Sequence, residues 1–422
     1  MIQRPPSAEF TLSDAKGLRA SAQGRLCAEA LNGARTKAME ALSDIRKIMP
    51  RHILVPLIFM AAACASMQPA SVSTGNAGLV ALARGNNDEA IRDLTRALNS
   101  GDLSTRDQAL AYMDRGAAYY NKGEYAKAIA DYNASISLLP DYASSYSNRG
   151  NAYAAMGDYD KAIADGDSAI RLNPKYAMAY NNRGLAYQGK REFDKAIADF
   201  DAAIRLNPDI APAYNNRGNA YQDKGEYGKA IADLDTAIRL TPNSASAHYN
   251  RGRARFLTDN FDNAEWDFQR ALDIDPQQEF EGFGVLLLHL SRIRTGQDDA
   301  AELRGNAARI DLAKWPGPIV ALYAGQATFA QVMVAAAKGD AKTQHDQDCQ
   351  ADFYLGEYAL TRHDSGQAAA MLREARDTCP QNFLEYVAAL RELQRMGQSL
   401  RTQSACAPAR APRCSAIEER KG

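Results

Sequence analysis

Proline recurs at a constant interval of 34 residues through the middle of this chain, at Pro140, Pro174, Pro208, Pro242 and Pro276. Arg-Gly pairs beginning at Arg115, Arg149, Arg183, Arg217 and Arg251 keep the same step. A fixed period of that length marks a solenoid stacked from one small supersecondary unit, because one unit cannot bury its apolar face alone. Such stacks present long grooves to other proteins and rarely carry catalysis. The period therefore predicts a binding protein, not an enzyme.

Nothing in the residue inventory argues for catalysis. The 422 residues carry a formal net charge of −1, which gives no general attraction to nucleic acid or to an acidic membrane surface. The five histidines are dispersed, and no Cys-x-x-Cys pair occurs among the six cysteines. No His-Glu-x-x-His, nucleophile elbow or paired-carboxylate site is present. Gly184 to Lys190 imitates a phosphate-binding loop, but Arg191 stands where Ser or Thr would hold magnesium, and the stretch falls inside a repeat helix. No catalytic residue, cofactor or metal is expected.

With Ala143 as position 1, the unit has Tyr146 at position 4, Gly150 at 8, Tyr153 at 11, Ala162 at 20, Ala169 at 27 and Pro174 at 32. Two apolar stripes at helical period flank a break at Gly123, Gly157 or Gly225, and proline stops the second stripe. Small residues at positions 8 and 20 let two antiparallel helices approach. Aromatics at position 17 (Tyr125, Tyr159, Phe193, Tyr227, Phe261) and 24 (Tyr132, Phe200, Phe268) are expected to fill the space between hairpins. Position 24 is Gly166 in the unit 143–176. A missing core aromatic typically costs roughly 3–5 kcal/mol, so this unit is expected to be the softest and Gly166→Phe to raise the melting temperature. Arg at position 7 and Asp at position 23 recur in every full unit, and as an exposed ion-pair ladder they would contribute only ~0–1 kcal/mol each.

This pattern resembles the tetratricopeptide repeat family. The resemblance implies an all-α fold, a right-handed α-solenoid of helix-turn-helix repeats with a C-terminal capping helix. Five full repeats span 109–278, preceded by a degenerate repeat at 71–104. Degenerate hairpins cover 279–348, and a last repeat with a closing helix covers 349–396, where Gly356, Ala368, Ala375 and Pro380 recover the register. Residues 401–422 read as a disordered tail.

In tetratricopeptide folds position 6 faces the concave groove. Here it carries Asp114, Asn148, Asn182, Asn216 and Asn250, and position 9 adds Asn151 and Asn219. The resemblance thus implies a ladder of amides. Their donor and acceptor groups suit gripping the backbone of a bound peptide, although a hydrated polar face without a ligand has the same composition. Some family members bind a C-terminal carboxylate through cations at positions 2 and 5. None stands at those positions here, so the groove is expected to prefer uncharged or mixed segments.

The amino-terminal region has a separate logic. An apolar run of 11 residues, Ile53 to Ala63, follows Arg46, Lys47 and Arg51. It is too short to span a bilayer, which takes roughly 20 residues, and suits a secretory signal over 49–65. Ala61-Ala62-Ala63-Cys64 resembles a lipobox with Cys64 as the lipidated residue. Residues 1–48 then read as a doubtful N-terminal extension, and a buried segment of a cytoplasmic protein is the competing reading. Export would favour disulfides. Cys349 and Cys379, positions 1 and 31 of one repeat, are one candidate pair, and Cys406 and Cys414 a second. A metal site of His345, Cys349 and Cys379 is the alternative.

Trp315-Pro316-Gly317-Pro318-Ile319-Val320, Phe353-Tyr354-Leu355 and Asn382-Phe383-Leu384-Glu385 resemble stretches of the NlpI-type bacterial envelope lipoproteins. The first should start a helix with Trp315 buried. The resemblance implies an envelope adaptor, periplasmic or at the outer membrane, that brings cell-wall hydrolases or proteases to partners. The rival is a cytoplasmic scaffold or co-chaperone-like regulator.

Overall fold

The computed structural model describes residues 70–275, 281–381 and 383–397. The extension 1–48, the signal segment 49–65 with Cys64, the tail 401–422 with Cys406 and Cys414, and the residues Pro276 and Asn382 lie outside the described residues. Every regular element among the described residues is a helix, 19 in all. They divide into two compact units, one ending at Asp298 and the other beginning at Asp299.

The first described elements of the first unit are α1 (Ala70–Ala83) and α2 (Asn87–Asn99). Five hairpins follow: α3 (Thr105–Asn121) with α4 (Tyr125–Leu138), α5 (Ala143–Ala155) with α6 (Tyr159–Leu172), α7 (Ala177–Gly189) with α8 (Phe193–Leu206), α9 (Ala211–Asp223) with α10 (Tyr227–Leu240), and α11 (Ala245–Phe256) with α12 (Phe261–Ile274). The closing element of this unit is α13 (Glu281–Arg294).

Local chemistry accounts for the helix boundaries. Each of the five second helices begins at the position-17 aromatic, and Pro140, Pro174, Pro208 and Pro242 stand two residues beyond α4, α6, α8 and α10. Side-chain caps secure several starts: Ser104 accepts from Asp107 N, Asp158 from Lys161 N and Ser244 from Ala247 N. The turn residue at position 15 takes positive φ, 80° at Gly157. Two hairpins place a side chain there, Arg191 at 63° and Asp259 at 62°. That left-handed conformation is one L-residues enter at a cost.

Each second helix packs on its own first helix and on the first helix of the next hairpin, while neighbouring first helices also pack on one another. Such a stack has the first helices on its inner side. Ala128, Ala196, Ala230 and Ala264 at position 20 are completely buried, as small residues at a close helix crossing must be. The position-24 rings lie chiefly within the hairpin, not only between hairpins as the sequence predicted. A Cβ on Gly184 would stand 2.7 Å from Phe200 Cε1. Phe200 also reaches Ala220 of the following hairpin, so one ring joins both layers.

The unit 143–176 departs from expectation at Gly166. A Cβ there would meet Arg183 Cβ at 2.8 Å and Cγ at 3.0 Å. The aliphatic stem of Arg183, from the next hairpin, packs directly on Gly166, while the position-8 Gly150 faces Ala162 and Asp165 where Gly184 faces the Phe200 ring. On the same joint, a Cβ on Gly189 would meet Tyr159 Cε1 at 2.3 Å. Two glycines thus let these neighbouring hairpins approach closely at this joint.

The second unit contains α14 (Ala300–Ala307), α15 (Gly317–Tyr323), α16 (Phe329–Ala336), α17 (Ala341–Thr361), α18 (Ser365–Thr378) and α19 (Leu384–Arg395). Pro316 precedes α15, but Trp315 is only half-buried: its Nε1 donates to Gln350 Oε1 at 2.7 Å, and an indole N–H needs such a partner. A capping box of Thr328 and Gln331 starts α16. α17 and α18 form a hairpin closed by α19, which packs on both. A disulfide joins Cys349 within α17 to Cys379 after α18, with Cα atoms 4.9 Å apart. That bond removes both thiolates from the metal set with His345, whose side chain is exposed.

Candidate partner-binding groove

The first helices α3, α5, α7, α9 and α11 carry positions 5, 6, 9 and 12 on the inner side of the first unit. Their amides form a directed relay. Asn250 Nδ2 donates to Asn215 Oδ1 (3.1 Å), and Asn215 Nδ2 to Asn216 Oδ1 (3.5 Å). Asn216 Nδ2 donates to Asn181 Oδ1 (3.0 Å), and Asn181 Nδ2 to Asn182 Oδ1 (3.2 Å). The relay ends where Asn182 Nδ2 donates to Ser147 Oγ (3.0 Å). Asn182, Asn216 and Asn250 at position 6 thus each donate to position 5 of the preceding hairpin, and the paired Asn-Asn residues carry the bond across the helix.

The six candidate asparagines are therefore not an equivalent row. Asn216 and Asn250 are buried, at 8% and 6% exposure, and link repeats. Asn182 is half-buried in the relay. Asn148 is half-buried, and among the described residues no hydrogen bond reaches it. Its counterpart at position 5 is Met113, which offers no oxygen. Asn151 is half-buried beside the Tyr120 phenol, whose pKa burial pushes up and Asn151 pulls back down. Asn219 Oδ1 accepts from Gln222 Nε2 at 3.3 Å, and the same nitrogen reaches the Asn250 carbonyl at 3.1 Å. Further along, Gln188 Nε2 donates to Asp223 Oδ2 at 2.9 Å, and burial raises the Asp223 pKa.

Sequence reasoning missed Asn181, Asn215, Ser147, Gln188 and Gln222. The doubled Asn181-Asn182 and Asn215-Asn216 were the available signal, because two adjacent amides can accept a hydrogen bond from one hairpin and donate one to another. Each amide has two donors and two acceptor lone pairs. One relay bond in and one out leave capacity for a ligand wherever the group remains exposed.

Behind the groove, Arg at position 7 and Asp at position 23 form a clamp in every repeat. Arg149 is bidentate to Asp165 at 2.8 and 2.7 Å, and Arg217 to Asp233 at 2.7 and 2.6 Å. The remaining guanidinium nitrogen reaches the preceding hairpin: Asn133 for Arg149 and Asp167 for Arg183, each at 2.6 Å. Tyrosines at positions 4 and 11 flank the same guanidinium, as Tyr214 and Tyr221 do for Arg217 at 5.6 and 6.0 Å. The exposed ladder expected from the sequence is corrected here, since the Asp side chains at 165, 199 and 267 are only 9%, 8% and 0% exposed. Burial makes the loss of either partner far more costly than at a surface pair.

Among the described residues no helix is long and apolar enough to cross a membrane. Tetratricopeptide-repeat family models match residues 116–157, 150–190, 177–210, 200–232, 218–259 and 245–278. No curated protein matches the chain. Among solved structures, MamA is 29% identical over 39% of this chain and 96% of its own, with a TM-score of 0.33. A thermophilic TPR protein from Thermus thermophilus is 20% identical over 44% of this chain and 98% of its own, with a TM-score of 0.39. YrrB, described as a TPR protein with an unusual peptide-binding site, is 21% identical over 44% and 95%, with a TM-score of 0.32. From residue 116 to residue 278 this chain is built of consecutive tetratricopeptide repeats.

Proposed function

We propose that this protein is a non-enzymatic adaptor whose partner polypeptide lies along the inner face of the first unit. The observation that carries the reading is the set of amides on adjacent first helices: a relay fixes Asn182, Asn215, Asn216 and Asn250 between hairpins, while Asn148, Asn182, Asn215 and Asn219 keep part of their surface exposed on the same side. Pre-positioned donors and acceptors at repeat spacing suit an extended chain, whose own N–H and C=O groups recur along its length.

The finer reading is an adaptor of the bacterial cell envelope, anchored through Cys64 or secreted, with cell-wall hydrolases or proteases as partners. The buried Cys349–Cys379 disulfide supports an oxidising compartment. The apolar run from Ile53 to Ala63 supports export.

Site-specific photo-crosslinking tests the groove. A photoreactive residue at Asn148 or Asn219 should capture a partner that the same residue at exposed Ala164, on the second helix α6, does not. Equal capture from all three would refute the groove. Fractionation of Cys64→Ser tests the anchor: release from the membrane supports it, and an unchanged cytoplasmic distribution of both forms refutes export.

A further inference from the structure

Position 6 is asparagine in four of the five repeats and Asp114 in the first. Asp114 is only 7% exposed, and among the described residues no hydrogen bond or ion pair reaches it. In the last three of the five hairpins the matching amide, Asn182, Asn216 or Asn250, donates to position 5 of the hairpin before. The hairpin before Asp114 carries Gly75 there, which has no side chain to offer. Asp114 in turn raises the pKa of the nearby Tyr132 and Tyr142 phenols, and Arg106 acts on Tyr142. None of these neutralises the carboxylate. Burial pushes the Asp114 carboxyl up to about 7.

A buried carboxyl without a counter-charge is destabilising, and the chain places an uncharged amide at the same spot four times. What an acid can do there and an amide cannot is neutralise a cation. Positions 2 and 5 carry no basic residue that would repel one.

We propose that Asp114 is the counter-charge for one lysine or arginine side chain of the partner segment. This rests on the groove being the partner-binding surface, and it adds the chemistry of one residue in that partner. The docked cation forms a charge-assisted hydrogen bond away from bulk water and returns the carboxyl to its ionised state. The amides of Asn148 and Asn182, further along the groove, then face the adjoining main chain.

The probe is a phage-displayed random dodecapeptide library panned on the full-length protein and on Asp114→Asn, with melting curves confirming that both are folded. The expected result is a Lys or Arg at one fixed position in peptides selected by the wild type only. A synthetic copy should lose about tenfold in affinity on Asp114→Asn, the scale of one charged hydrogen bond. It should lose as much when its lysine becomes norleucine, and no more when both changes are combined. Peptides that crosslink from Asn148 or Asn219 without a fixed cation, or that bind Asp114→Asn equally, overturn the pairing and leave the groove standing. No selected sequence at all overturns both.

Discussion

Arg183 lies where a side chain on Gly166 would go, its Cβ only 2.8 Å from the Cβ that glycine lacks. Its stem packs into α6 while its guanidinium clamps Asp199 at 2.7 Å and reaches back to Asp167. Gly166→Phe is therefore expected to lower the melting temperature, the reverse of what the repeat pattern alone predicts. Overpacking costs about 1–3 kcal/mol, and displacement of Arg183 adds to it. Denaturant melts of the variant check the sign.

Asp267 accepts hydrogen bonds from both Arg251 and Arg255 and contacts His248 Nδ1 at 3.3 Å, with its own side chain fully buried. Asp267→Ala removes the buried carboxylate they share, leaving Arg251 and Arg255 only the half-exposed Asp235 as counter-charge, and should cost about 3–5 kcal/mol. Asp160→Ala removes the exposed Lys190 bridge, whose carboxylate is 83% exposed, and should leave stability nearly unchanged. Equal destabilisation of the two variants would contradict the burial argument.

Asp114 makes stability depend on pH. Its carboxyl holds a proton more tightly in the folded chain, up to about 7 against the ordinary 3.8. Its contribution is thus fully present below 3.8 and is lost as pH rises through about 7. Asp114→Asn should melt near the wild-type temperature at acidic pH and above it at pH values past 7. Thermal melts of both proteins across that range measure the difference.

Arg191 occupies the turn at φ 63°, where other hairpins use glycine. Arg191→Gly should stabilise by about 0.5–1 kcal/mol, because glycine enters this conformation without the Cβ clash. The ring contact of Arg191 with Phe193 at 5.8 Å and its attraction to Asp223 are among the contributions lost. A lower melting temperature would mean that these contributions outweigh the backbone term.

The Cys349–Cys379 bond closes a loop of 30 residues in the second unit. Cys349→Ala with Cys379→Ala should destabilise that unit by about 3–4 kcal/mol, the loop-entropy value. Calorimetry of the double variant, or of the reduced protein, reads the loss.

The helical hairpins were legible in the sequence because their causes are local. A proline two residues past a helix, a turn residue at positive φ and an aromatic at the first position of the second helix each act within a few residues. Repetition then makes the pattern unmistakable. The residues that fill Gly166, bury Asp267 and satisfy Asn216 were not legible, since each partner arrives from another helix or hairpin. Sequence alone determined that this chain would coil into stacked helix pairs with amides along one face. Only the tertiary structure decided which amides bond each other, which carboxylates leave water and which acid is left without a counter-charge. Those outcomes depend on how neighbouring repeats are set against each other, and a one-dimensional spacing rule does not contain that geometry.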